Sequence, residues 1–135
     1  MKKTKGISSD AFAVCVTARS LSIPRLPFKK MKEEVLGPRY SLSLAFVSSA
    51  LSRNLNRSLR GKDKSANVLA FPLSRESGEI LVTPAVAKHQ APLYGMSYRS
   101  FVGLLFIHGL FHLKGRRHGG TMEREECRVR RIFSL

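Results

Sequence analysis

Cysteine is scarce in this chain of 135 residues, which contains only Cys15 and Cys127. Two cysteines cannot form a framework of several disulfides, and neither lies in a Cys-x-x-Cys pair of the kind used for redox chemistry or zinc binding. A chain of this length with 43% hydrophobic residues can instead bury one apolar core without covalent help. We therefore expect one domain over residues 1–135 in a reducing cytoplasm, and we exclude a disordered chain.

Long hydrophobic runs are also absent from the sequence. His108 interrupts the longest apolar stretch, so no segment reaches the roughly 18 to 20 residues that a membrane helix needs. Residues 1–5 are basic, but the apolar residues at 11–16, which follow Asp10, are too few for a secretory signal. These observations predict a soluble, unprocessed protein with no membrane partner.

Acidic residues are few as well. The chain has 9 Asp and Glu residues but 24 Lys and Arg residues, which gives a formal net charge of +15. Clustered cations bind polyanions by releasing counterions from phosphates, so we expect RNA or DNA as the partner and an anionic membrane surface only as a weaker competitor. A basic face that is merely solvated is the alternative. Aromatic residues are sparse between the basic ones, so the pattern does not predict base stacking.

Hydrophobic periodicity predicts both strands and helices. The strand pattern covers 12–16, 40–46, 67–72 and 79–83, with Ser77 and Gly78 in a hairpin turn. The helical pattern covers 28–35, a segment from Ser48 or Ser49 to Gly61, a start at Pro84, 97–115 and 122–133. The helix before Gly115 is apolar nearly all round, which predicts that it lies in the core.

Three of the 4 histidines lie close together, at His108, His112 and His118. Residues four apart share one helix face, so His108 and His112 can point at a single ion. Gly115 can end the helix with a positive φ and return the chain so that His118 faces the same point. Three imidazoles with an open fourth position are typical of catalytic zinc. The alternative, two histidines buried as core residues, would desolvate two polar rings without a metal.

The histidine spacing also matches the zinc metallopeptidase motif, in which a glutamate follows the first histidine and acts as general base. Gly109 occupies that position and has no proton acceptor, so a peptidase is the least favoured hydrolase. Cys127 and His89 are other soft ligands, but their spacing does not indicate metal binding. We interpret both as incidental.

Two motifs follow one another in this chain. Residues 60–72 have the sequence Arg-Gly-Lys-Asp-Lys-Ser-Ala-Asn-Val-Leu-Ala-Phe-Pro, and residues 108–118 have the sequence His-Gly-Leu-Phe-His-Leu-Lys-Gly-Arg-Arg-His. The second is similar to the HGxLHLxGxDH signature of the YbeY family of bacterial metal-dependent endoribonucleases. The first resembles that family's Arg-Gly loop and T-D/N-V-L-S-F-P strand, with a Gly-acidic-Ile segment at 78–80. The resemblance runs from about Arg39 onward.

The resemblance implies an α+β domain, a small mixed sheet packed with helices, and a metal-site helix in the core. It implies a zinc-dependent endoribonuclease, a hydrolase of rRNA processing and ribosome maturation, with one zinc per chain on His108, His112 and His118. Arg60 would be the catalytic arginine, and its guanidinium would bind two phosphate oxygens beside the metal. RNA, as rRNA or ribosomal particles, would be the partner. An electrostatic track for the RNA backbone would consist of Arg53, Arg57, Lys62, Lys64, Arg116 and Arg117.

Three positions depart from the family pattern. Arg117 replaces the acidic residue before the third histidine, Ala66 replaces a threonine, and Ala70 replaces a serine. A carboxylate lost beside His118 could remove a group that orients the imidazole. The alternative function is therefore a non-catalytic RNA- or ribosome-binding protein that uses the metal only to stabilise its fold. A fourth protein ligand on the metal would favour that alternative.

Overall fold

Residues 4–9, 12–16, 22–115 and 120–135 of a computed structural model are described here. They form a 5-stranded sheet with helices on both faces. The strands are β1 (Thr4–Ser9), β2 (Phe12–Val16), β3 (Ser41–Phe46), β4 (Val68–Ser74) and β5 (Ser77–Val82). The helices are α1 (Phe28–Leu36), α2 (Ser49–Arg60), α3 (Pro84–Gln90), α4 (Tyr98–Lys114) and α5 (Gly120–Ile132), and a short 3-10 helix covers Ala91–Tyr94.

The sheet is mixed, with the strand order β1-β2-β3-β5-β4. The two inner pairings, β2 with β3 and β3 with β5, are parallel, whereas the outer strands β1 and β4 pair antiparallel with their neighbours. The predicted α+β class with a small mixed sheet is confirmed. Strand β1 was not expected, because Thr4–Ser9 shows no apolar alternation and forms a strand only through its pairing with β2.

The two faces of the sheet bury unequal cores. Leu42, Leu44 and Phe46 alternate along β3 and are at most 2% exposed, because they face α1 and α4 in the larger core. On the opposite face, Leu81 and Leu55 belong to a much smaller cluster beneath α2. Helix α4 is thus a core helix, as predicted, while α2 covers the sheet as an outer layer.

Local capping chemistry sets the ends of the two longest helices before residue 115. Ser48 Oγ accepts a hydrogen bond from the Leu51 amide at 3.1 Å, and Gly61 ends α2 with a φ of 70°. Ser97 Oγ accepts from the Ser100 amide at 3.1 Å at the start of α4. Gly115 ends that helix with a φ of 87°. These four predictions are confirmed. No helix in the described ranges has both the length and the apolar character to cross a membrane.

The predicted hairpin turn at Ser77 and Gly78 is wrong. The turn lies at Arg75 and Glu76, and Ser77 and Gly78 already belong to β5, where they pair with Ser41 and Leu42 of the parallel neighbour β3. Pairing with a distant strand therefore overrides the local turn preference of a Ser-Gly pair. Glycine is also required at 78, because a Cβ there would collide with the hydroxyl of Tyr40.

Candidate active site

A cleft of about 420 Å³ opens along the edge strand β4, between the end of α2 and the second half of α4. The strand forms its floor and the two helices approach it from opposite faces of the sheet. We call it the histidine cleft. Its lining residues are Arg60, Asn67, Val68, Leu69, Ala70, Phe71, His108, Gly109 and His112.

Two imidazoles converge in this cleft from successive turns of α4. His108 Nε2 and His112 Nε2 lie 3.0 Å apart, and the ring planes are inclined at 79°. Two nitrogens that share a tetrahedral zinc at about 2.0–2.1 Å lie roughly 3.3 Å from each other, so this pair can accept an ion with little movement. The alternative of two histidines buried as core residues does not hold, since His112 is exposed and the side chain of His108 is 32% exposed. Both rings lie at the rim because they are on the side of α4 that borders the histidine cleft.

The other nitrogen of the His108 ring is held from behind by α5. Glu126 Oε2 lies 2.7 Å from His108 Nδ1, and its side chain is 13% exposed. A carboxylate at this position accepts a hydrogen bond from the Nδ1–H group, which leaves the Nε2 lone pair directed into the histidine cleft. Sequence analysis did not identify Glu126, because it lies 18 residues from His108 and only the packing of α5 on α4 joins them.

The third predicted ligand, His118, lies outside the described residues, as do Arg116 and Arg117. Among the residues that are described, no group of three His, Cys, Asp or Glu side chains is arranged to hold a metal. The described part of the cleft therefore offers two imidazole nitrogens close enough to share a zinc ion, and the contact with Glu126 favours the Nδ1-protonated tautomer of His108. The residues present fit such an ion.

Gly109 argues against the peptidase alternative on chemical grounds. Helix α4 also approaches β5 closely at this point, because a Cβ at Gly109 would lie 3.1 Å from Cδ1 of Ile80. A side chain here would require the Ile80 side chain to shift by a few tenths of an ångström. The general base of the metallopeptidase motif is absent, since glycine has no proton acceptor.

Arg60 is the last residue of α2 and lines the histidine cleft opposite the imidazoles. It makes no hydrogen bond or ion pair with the described residues. Arg53 and Arg57 differ, because Asp63 lies 2.9 Å from Arg53 Nε and 3.1 Å from Arg57 Nη1. Hydrogen bonding to Arg53, with the charges of both arginines, lowers the pKa of the Asp63 carboxyl. Of the three arginines on α2, Arg60 is therefore the one that lines the histidine cleft and can meet a phosphate beside the histidines.

The remaining predicted positions lie around the same loop. Lys62 and Lys64 are exposed between α2 and β4, which suits the predicted electrostatic track. Ala66 packs into the small core, and its amide donates to Ser52 Oγ at 2.9 Å. Ala70 lines the histidine cleft, where the family pattern has a serine. Their contribution to RNA binding or catalysis stays a prediction.

Paired imidazoles and an arginine around one cleft are typical of metal-dependent hydrolases that act on phosphate esters. Comparison with known protein families identifies the family within this class. Residues 19–132 match the family described as Endoribonuclease YbeY, so this chain belongs to that family and is a nuclease of the hydrolase class. The match begins well before Arg39, where the resemblance was expected to start.

Individual relatives agree with this assignment. The endoribonuclease YbeY of Alkaliphilus metalliredigens is 38% identical over 109 residues, covering 73% of this chain and 70% of the relative. That of Campylobacter jejuni is 33% identical over 123 residues, covering 85% and 91%. A protein of Thermotoga maritima solved in solution has a TM-score of 0.59 and 25% identity, with 79% of each chain covered.

Proposed function

We propose that this chain is a zinc-dependent endoribonuclease that hydrolyses RNA phosphodiester bonds during rRNA processing in the cytoplasm. The observation that carries the proposal is the convergence of His108 Nε2 and His112 Nε2, 3.0 Å apart, in a cleft that Arg60 also lines. The relatives named endoribonuclease YbeY supply the reaction class. Ribosomal RNA and ribosomal particles are the substrates we propose for it.

Zinc suits this site better than magnesium. Imidazole nitrogens are ligands for borderline ions such as zinc, whereas magnesium prefers oxygen ligands and retains its water. His108, His112 and His118 would hold the ion, one per chain. When bound, it would polarise a phosphoryl oxygen and lower the pKa of a coordinated water toward neutrality.

The chain's own residues perform the other tasks. Glu126 accepts a hydrogen bond from His108 Nδ1 and keeps Nε2 available as a ligand. Arg60 can donate two parallel N–H bonds to the phosphate and stabilise the charge that develops in the transition state. The net charge of +15 draws RNA to the protein and supplies much of the ground-state affinity.

The proposal is tested by cleavage of a structured rRNA fragment with zinc-loaded protein. Arg60→Ala should lower the rate of cleavage by orders of magnitude, about 10²- to 10³-fold, while metal content and RNA affinity change little. Arg60→Lys should restore only part of the rate, because an ammonium cannot form the two-pronged contact.

Arg57→Ala is the matched control, one helical turn earlier on α2. Its guanidinium is engaged with Asp63, so the variant should show a small loss of RNA affinity and a normal chemical step. Equal losses of cleavage rate in the Arg57 and Arg60 variants would mean that this region only attracts the RNA backbone and that Arg60 has no special catalytic role. A wild type that holds zinc and binds RNA without cleaving it would establish the non-catalytic alternative.

A further inference from the structure

A second groove continues from the histidine cleft on the other side of His108. Its volume is about 280 Å³, and it runs along α4 toward the start of that helix. Asn67, Val68 and His108 line both spaces, so the two adjoin at these residues. We call it the Tyr94 groove. Its lining residues are Asn67, Val68, Tyr94, Phe101, Leu104, Leu105, His108 and Glu126.

We propose that the Tyr94 groove binds an unpaired nucleobase of the RNA, next to the phosphate that lies in the histidine cleft. This inference rests on the proposed function and names a subsite for it.

The chemistry of the two spaces divides these roles. The histidine cleft carries the cation Arg60, whereas no lysine or arginine is among the described residues that line the Tyr94 groove. Its one charged residue, Glu126, is bound to His108. Apolar walls with a carboxylate repel a phosphate and accept an uncharged aromatic ring.

An aromatic platform lies at the far end of the Tyr94 groove. The ring of Tyr94 stacks on that of Phe101, with centroids 5.2 Å apart and planes inclined at 19°. Phe101 is 2% exposed and anchored in the core, whereas Tyr94 is 64% exposed. An exposed ring held flat against a buried one is a ready stacking surface, and stacking on aromatic side chains is the usual recognition of unpaired bases.

The backbone fixes this platform in position. Gly95 follows the 3-10 helix with a φ of 67°, and its amide donates to Pro92 O at 3.0 Å. The next amide, of Met96, donates to Ala91 O at 3.0 Å. Tyr94 is therefore held by two turn hydrogen bonds and is not carried on a loose loop.

The length of the Tyr94 groove suits one nucleotide. Phe101 and His108 are seven residues apart on the same side of α4, which places them about 10 Å apart along the helix axis. That span leaves room for a sugar and base between the imidazole and the aromatic platform.

Asn67 lies beside this path. Its Nδ2 donates a hydrogen bond to Gln90 Oε1 at 2.9 Å, which orients the Asn67 amide. Asn67 Oδ1 can then accept a hydrogen bond from a base.

Fluorescence gives a direct test, because the sequence contains no tryptophan. Tyr94→Trp introduces a single tryptophan at the platform, which can be excited selectively over the remaining tyrosines. A stacked nucleobase should quench its emission when a short single-stranded RNA with hydrolysis-resistant phosphorothioate linkages is added. Leu93→Trp is the matched control, since Leu93 is 75% exposed and does not line the Tyr94 groove. Quenching only at 94, and only by RNA that carries bases, supports the proposal. Equal quenching at 93 and 94, or by an abasic RNA of the same length, overturns it.

Cleavage kinetics provide the second test. Tyr94→Ala should raise KM for single-stranded RNA about 5- to 100-fold, the range expected for one lost base stack. Tyr94→Phe keeps the aromatic face and should lose far less, while zinc content stays normal in both variants. A wild-type KM in Tyr94→Ala would overturn the subsite while leaving the endoribonuclease proposal intact. Failure of the wild type to bind or cleave any RNA would instead overturn the proposed function, and the subsite with it.

Discussion

The two helical walls of the histidine cleft are built in opposite ways. Helix α4 carries the paired imidazoles and is buried along most of its length, with Phe106, Ile107 and Leu110 completely shielded from solvent. Helix α2 carries Arg60 and is mostly exposed, including Leu59 at 58%. Helix α4 is part of the larger core, whereas α2 covers the smaller core from the outside.

The forces that hold the walls differ accordingly. Apolar burial fixes α4, and the close approach at Gly109 sets its distance from β5. Side-chain hydrogen bonds to the following loop fix α2, including Asn56 Nδ2 to Lys64 O at 2.8 Å and Ser52 Oγ to Ala66 O at 3.0 Å. Ser65 Oγ closes the same loop by donating to Ser49 O at 2.8 Å.

This difference matches the tolerance of each task. Metal ligands must be held to within a fraction of an ångström, which a packed helix with an anchored imidazole can achieve. A guanidinium on a long side chain can reach a phosphate from an exposed helix end, because its fork supplies the geometry of the contact. The lesson is that the more exacting chemistry lies on the better-packed wall.

The largest effect should come from the α4 wall. His108→Ala removes one of the converging nitrogens, so zinc content should fall from about one per chain to near zero by metal analysis of the purified protein. His89→Ala, at an exposed position in the last turn of α3, is the control and should keep its zinc. Full metal content in the His108 variant would mean that α4 does not carry the metal site.

The next effect concerns the group behind His108. Glu126→Ala removes the acceptor from Nδ1, so zinc affinity should fall about 10- to 100-fold in a chelator competition assay. Glu126→Gln should lose less, because its amide oxygen can still accept a hydrogen bond from the Nδ1–H group. Glu123→Ala, in the first turn of the same helix, should bind zinc like the wild type. Equal losses at 123 and 126 would indicate a general charge effect.

A smaller effect is expected on the α2 wall. Asn56 is 1% exposed, and Asn56→Ala leaves Lys64 O without its donor, so the free energy of unfolding should fall by about 1–3 kcal/mol in chemical denaturation. Zinc affinity should be unchanged, because the two walls have separate supports. Asn54→Ala is the exposed control on the same helix. A loss of zinc affinity in the Asn56 variant would show that α2 and α4 depend on each other, which would contradict their separate supports.

The smallest effect should come from the ion pairs of Asp63. Its pKa lies below the usual 3.8, mainly because Arg53 donates a hydrogen bond to it. The stabilisation is therefore present above that value and is lost as the pH falls through the lower pKa of the folded state. Asp63→Asn should be slightly less stable than the wild type at pH 7, and thermal unfolding should show the difference vanishing in strong acid. RNA affinity should rise, since Arg53 and Arg57 become available to phosphates.

Features that depend on neighbouring residues in the chain could be predicted from sequence. Ser48 and Ser97 cap helices through an amide three residues away, and Gly61 and Gly115 end helices through their own positive φ. The four-residue spacing of His108 and His112 places both on one face of α4, and the converging nitrogens follow from that. The basic composition likewise indicated a polyanionic partner without any structure.

Features that depend on distant contacts were decided by the tertiary structure alone. The hairpin turn moved to Arg75 and Glu76 because Ser77 and Gly78 pair with β3, and β1 exists because β2 is beside it. Glu126 reaches His108 only through the packing of α5, and the ring of Tyr94 stacks on Phe101 only because the fold brings the 3-10 helix beside α4. Hydrogen bonds within a helical turn join residues three or four apart and leave a mark in the sequence. Contacts between separate elements carry no such mark, because the position of each element is set by the common core.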